Sequence, residues 1–311
     1  MDFLLLIAGI TGLWLGTELT IGGALAIARR HQLSEFFVGL VILSIGSDLP
    51  EIAIAIDAGL KTLMGSDASG VVVGTSVGSV VAQIGFVLGL AGVISHLTLP
   101  RSFIFRHGSV LLAATVLLFL VALDGYVTRT EGLILVTFYL VYVIALMNGQ
   151  NVPAEEPSAI AGGGLRSWTL LLLGLGTVIV SSEVTVNSVV SIAHVFDVSE
   201  AVIAILIIGL GSSLPELSIS ISAIIKKRTE LSVGNIIGSN ILDTLLPIGL
   251  AAFLAGVTFE SGLLWFDLPF IFVLTAVVLG LFFIPRGFRR PEGLLVLALY
   301  FTYVVIKLFQ F

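Results

Sequence analysis

The chain has 311 residues, a formal net charge of −6, 57% hydrophobic and only 11% charged residues, with a mean hydropathy of +1.16. Soluble domains carry about 25% charged residues, so a soluble enzyme and a disordered chain are both excluded. The lack of cysteine excludes disulfides and thiolate metal sites, and no basic stretch exists to serve a nucleic acid.

A membrane-spanning helix needs about 20 apolar residues. In chain order, apolar blocks predict spans at 3–28, 33–60, 70–95, 104–123, 130–147, 168–193, 200–225, 232–255, 262–284 and 291–310. The first block lacks a basic flank and a small-residue cleavage site, so it reads as a true span rather than a signal peptide. The fold class expected is an all-α integral membrane protein of ten transmembrane helices. Segment 148–167 holds Pro153, Glu155, Glu156, Pro157 and Gly162–Gly164, which is linker composition. It divides the chain into a first five-helix unit, 1–147, and a second, 168–311, packed as one bundle.

Basic residues set the orientation. With the N-terminus outside, one set of loops holds Arg29, Arg30, Arg101, Arg106, Arg166, Lys226, Lys227, Arg228, Arg286, Arg289 and Arg290, and the other holds Lys61, Arg129 and Lys307. Eleven against three places the first set, and the 148–167 linker, in the cytoplasm, with both termini outside.

The chain repeats itself. Ser34–Ile56 aligns without gaps on Ser199–Ile221 with ten identities in 23 positions, around Gly46-Ser47-Asp48-Leu49-Pro50-Glu51 and Gly211-Ser212-Ser213-Leu214-Pro215-Glu216. A second pair is Gly74-Thr75-Ser76-Val77-Gly78-Ser79 and Gly234-Asn235-Ile236-Ile237-Gly238-Ser239. A weaker pair is Thr17-Glu18-Leu19-Thr20 and Ser182-Glu183-Val184-Thr185. Because each unit has an odd number of spans, the two must insert upside down relative to each other. That is the arrangement of alternating-access transporters, whose substrates bind between the repeats at the bilayer midplane.

Glu51 and Glu216 fall in mid-span, where a carboxylate is costly and therefore functional by default. Each follows a proline that removes a backbone donor. Both helices are expected to break there, freeing carbonyls around Ser44 and Ser47 and around Gly209 and Ser212 for a cation. Helical spacing brings Ser44, Ser47, Asp48 and Glu51 to one face, and likewise Gly209, Ser212, Ser213 and Glu216. Thr75, Ser79 and Gln83 recur every four residues in the third span, and Asn235, Ser239 and Asp243 in the eighth. An all-oxygen set of this kind suits hard cations such as calcium. Single serines and glycines in membrane helices otherwise serve packing. Glu18, Glu183 and Asp57 read as near-interface residues, and His31, His96, His107 and His194 fall near loop edges without metal spacing.

These duplicated motifs resemble the α-repeats of the cation/calcium antiporter superfamily, most closely prokaryotic sodium/calcium exchangers, over the whole chain. The family pattern G-[TS]-S-x-P-E reads here as GSDLPE at 46–51 and GSSLPE at 211–216. The pattern G-N-x-x-G-S-x-x-x-[ND] reads as GTSVGSVVAQ at 74–83 and GNIIGSNILD at 234–243. The resemblance implies calcium held by Glu51 and Glu216 with the carbonyls of Ser47 and Ser212, and by Gln83 and Asp243. It implies flanking sodium sites at Ser79, Ser213, Ser239 and the carbonyls of Ser44 and Gly209, and a first and sixth helix that slide over the bundle. Asp48 stands where the family has a sodium-contacting serine, Gln83 where Asn or Asp is usual, and Thr75 and Val80 where the second repeat has Asn. The added acid, Asp48, offers a place for a proton, a potassium ion or an extra sodium ion.

The function expected is therefore sodium/calcium antiport, with proton coupling or another hard divalent (magnesium, manganese) as the alternative within the class. The partners expected are transported cations and membrane lipid; a monomer suffices and no cofactor is called for. An intramembrane hydrolase would need a base held against a nucleophile, and no histidine lies mid-span. A channel would need a continuous pore.

Overall fold

The computed structural model describes residues 2–148, 164–195, 211, 213–284 and 287–310. Gly209, Ser212, most of the 148–167 linker and the expected start of the seventh span lie outside them. The helices are α1 (Asp2–His31), α2 (Glu35–Ser47), α3 (Leu49–Leu63), α4 (Ser69–Ile94), α5 (Arg101–Val121), α6 (Arg129–Asn148), α7 (Gly164–Val195), α8 (Leu214–Ile225), α9 (Thr229–Ala255), α10 (Leu263–Phe282) and α11 (Arg290–Gln310). Among the described residues eight helices are long and apolar enough to cross a membrane, and α2 with α3 makes a ninth span bent by 47°. α8 is a shorter apolar helix of 12 residues.

The expected bend at Pro50 is present. Pro50 has no N–H for the Gly46 carbonyl. The chain turns at Asp48 (φ −86°, ψ 8°), where its N–H reaches Ser44 O at 3.0 Å, and α3 starts with Pro50 in its first turn. Ser213 adopts nearly the same backbone (φ −95°, ψ 10°) ahead of Pro215 and α8. Equivalent sequences thus give equivalent backbone at Asp48 and Ser213.

Among the described residues three π-helical stretches were not legible in the sequence: Val38–Leu43 in α2, Ala82–Val87 in α4 and Leu263–Asp267 at the start of α10. Such bulges loosen the backbone ladder and recur at functional sites. The first ends one residue before the candidate site residue Ser44, and the second contains Gln83.

α9 forms the hub, with most of its length buried. It packs on α2, α3, α4, α5, α6 and α8. Close approach needs small residues: a Cβ on Gly238 would strike the Leu40 carbonyl of α2. α1 instead lies chiefly along α7. A Cβ on Gly174 of α7 would collide with Thr20 of α1.

Outside the helices, β1 (Tyr126–Val127) pairs antiparallel with β2 (Val257–Thr258), and Leu97 bridges Phe288. These short pairings, absent from the all-α expectation, join loops of the first half to loops of the second. An ion pair to the buried Asp267, Lys307 Nζ to Oδ2 at 2.9 Å, with the Tyr303 hydroxyl donating to Asp267 Oδ1 at 2.6 Å, ties α11 to α10.

Candidate functional site

The two helix breaks meet α4 and α9 in the interior of the bundle. Asp48, Ser47, Ser44, Ser79, Gln83, Glu216, Ser239 and Asp243 are fully buried, with Ser213 1% and Glu51 4% exposed. The expected residues are brought together by hydrogen bonds that cross between the halves. The Ser239 hydroxyl of α9 donates to Asp48 Oδ1 at 3.0 Å, and Ser47 donates to the same oxygen at 3.2 Å. Ser79 of α4 bonds Ser213 at the second break at 3.0 Å. The Gln83 amide reaches Ser79 at 3.3 Å and Asp243 Oδ2 at 3.0 Å. Glu216 faces Asp48 and Ser47 across the interface. Ser44 donates its hydroxyl hydrogen to Leu40 O at 2.5 Å, and its carbonyl accepts from the Asp48 N–H at 3.0 Å and from the Ser47 hydroxyl at 3.3 Å.

The network is rich in acceptors and poor in donors. Asp48 Oδ2, Glu51 Oε2, Gln83 Oε1, both Glu216 oxygens and Asp243 Oδ1 accept no hydrogen bond among the described residues. Among the described residues no lysine or arginine pairs with any of the four acids, the ion pairs there being Lys61–Asp57, Lys226–Glu18, Arg228–Glu35 and Lys307–Asp267. Buried charge without a partner is expensive, and buried acceptors without donors add about 1–3 kcal/mol each. A cation satisfies both demands at once. Among the described residues no three acidic or imidazole groups stand close enough to hold a metal by themselves. A cation here must also draw on hydroxyl, amide and carbonyl oxygens, the mixed set that calcium accepts.

Two contributors escaped the sequence reading. Pro247 lies inside α9, and its missing N–H leaves the Asp243 carbonyl without its helical donor. Ser182 of α7 donates to Gly211 O at 3.4 Å, capping the carbonyl that Pro215 cannot serve. The signal for the first was a proline four residues after an acid. The second depends on tertiary packing and had no local signal. His107 is corrected: it is not at a loop edge but 3% exposed inside α5, bonding the Tyr142 hydroxyl at 2.8 Å. Glu18 and Asp57 pair with Lys226 and Lys61 at the margin of the bundle, both at 2.6 Å.

A model of the sodium/calcium exchanger protein family matches residues 1–148 and 166–309, which include both helix breaks and both acidic motifs. The chain belongs to the sodium/calcium exchanger family. The sodium/calcium exchanger MaX1 of Methanosarcina acetivorans is 25% identical, with 98% of each chain covered. An uncharacterised membrane protein of Methanocaldococcus jannaschii is 29% identical over 94% of this chain and 93% of its own. The solved structure of the sodium-calcium exchanger NCX_Mj, soaked with sodium and strontium, superposes with a TM-score of 0.83 at 27% identity. That match covers 98% of this exchanger and 99% of NCX_Mj.

Proposed function

We propose that this exchanger moves calcium against sodium by alternating access, with both ions bound at the paired helix breaks. The observation that carries the reading is the set of four buried carboxyl groups from both halves, of which five oxygens, with the Gln83 amide oxygen, have no hydrogen-bond partner and no basic counter-charge among the described residues. Glu51, Glu216 and Asp243 with Gln83 and the Ser47 and Ser212 carbonyls hold calcium. Ser79, Ser213, Ser239 and the carbonyls of Ser44 and Gly209 complete flanking sodium sites. The ten-span inverted repeat, with both termini outside and the 148–167 linker in the cytoplasm, supplies the symmetry that exposes this site to each side in turn.

Coupling follows from the electrostatics. An empty site with several buried negative charges is too costly to seal from water, because desolvation penalises each charge. A site filled by calcium, or by enough sodium, is neutralised and can be occluded. Only the loaded protein then changes its facing, which produces exchange rather than leak. Among the described residues nothing favours the hydrolase reading: His107, the buried histidine there, bonds the Tyr142 hydroxyl.

The test is calcium-45 uptake into proteoliposomes under an outward sodium gradient, and separately under a pH gradient. Uptake driven by sodium and abolished by Glu216→Gln supports the reading. Uptake driven by the pH gradient alone replaces sodium with protons, and no driven uptake rejects calcium exchange. Asp48 favours a second, narrower reading: it adds an acid whose Oδ2 has no hydrogen-bond partner among the described residues, so a proton or potassium ion there joins the transport cycle.

A further inference from the structure

A second buried polar cluster lies one turn from the ion network and belongs to the second half alone. On α8, Ser220 follows Glu216 by four residues; on α9, Asn235 precedes Ser239 by four. Both steps lead one turn, about 6 Å, toward the Lys226–Arg228 hairpin that joins the two helices. The Asn235 amide nitrogen donates to the Ser220 hydroxyl at 3.1 Å, linking α9 to α8. Ser232 lies on the same face of α9 as Asn235, three residues nearer the hairpin. All three side chains are fully buried, yet Asn235 Oδ1 and Ser232 Oγ have no hydrogen-bond partner among the described residues.

The first half has no such cluster. The aligned positions there are Ala55, Thr75 and Val72, and the Thr75 hydroxyl is turned back onto Val71 O. Packing needs common to both repeats would have kept these positions alike. At the hairpin, Arg228 pairs with Glu35 at 2.7 Å and Lys226 with Glu18 at 2.6 Å. Both pairs remove positive charge that would otherwise repel a cation approaching from that side.

We propose that Ser220, Ser232 and Asn235 form a cation waystation: neutral oxygens that strip and hold a hard cation between solvent on the Lys226–Arg228 side and Glu216. The site takes sodium in preference to calcium, because it offers dipoles and no formal charge. Its role in transport rests on the exchange reading above; its existence and sidedness do not.

Because the chain contains no cysteine, Asn235→Cys reports access without background. A membrane-impermeant thiosulfonate is applied to one face of sealed vesicles at a time, with and without sodium. Labelling from the Lys226–Arg228 face, slowed at least threefold by sodium, is expected. Labelling from the opposite face, from neither face, or at a rate indifferent to sodium overturns the waystation. Ser232→Ala, which removes a hydroxyl without crowding its surroundings, is then read by flux. Its half-maximal sodium concentration should rise about threefold or more at the Lys226–Arg228 face and stay unchanged at the other. Equal shifts at both faces, or none, count against the proposal. Wild-type vesicles without sodium-driven calcium flux reject the exchange reading alone, since the labelling experiment needs no transport.

Discussion

At the scale of single residues, the charge balance of the site makes the sharpest predictions. Glu51→Gln and Glu216→Gln keep shape and volume while removing a charge from a cluster built on charge. Each should lower sodium-driven calcium flux by at least about 100-fold, with elution profile and helix content unchanged. Near-normal flux from either variant would show that the two halves do not share one site. Asp48 is the member set apart by sequence, and its Oδ1 already takes two hydroxyl donors, Ser47 and Ser239. Protons compete with cations for the same carboxylate oxygens, so exchange should fall as pH is lowered. Asp48→Ser removes one site of that competition. Its flux should depend less steeply on pH, while calcium-dependent flux persists. A pH profile identical to wild type would leave Asp48 a spectator.

At the scale of elements, the breaks carry the mechanism. Pro50→Ala restores the amide that Gly46 O lacks and should straighten the 47° bend between α2 and α3. Exchange should drop at least tenfold, while thermal stability holds or rises, because the substitution restores a helical hydrogen bond. A loss of stability with normal flux would contradict this assignment of the bend. Much of this was legible beforehand. The duplicated Gly-Ser-x-Leu-Pro-Glu run fixed both breaks, and four-residue spacing fixed which faces of α4 and α9 meet. The π-helical stretches at Val38–Leu43 and Ala82–Val87 were not legible, because nothing in residue type separates an i+5 from an i+4 hydrogen bond. Nor was the link from Ser182 to Gly211 O, which exists only once α7 is docked. His107 was misplaced for a related reason: hydropathy marks it as a span edge, whereas Phe36, Phe103 and Tyr142 close over it.

At the scale of the whole molecule, the helices fall into two groups by their packing. α9 holds α2 to α6 and α8 around the site, while α1 rides mainly on α7 over a glycine-lined contact. A cation bound between the halves cross-links them, so its removal should loosen the entire fold. Calcium at 100 times its dissociation constant contributes about 2.7 kcal/mol, and chelation should lower the melting temperature accordingly in wild type but not in Glu216→Gln. The central claim is that calcium and sodium compete for overlapping sites built on the same buried acids. The most direct measurement is equilibrium calcium-45 binding to the purified protein as sodium is raised. The account predicts complete displacement of calcium, with a Hill slope above one because several sodium ions replace each divalent. Calcium that remains bound at saturating sodium would contradict it.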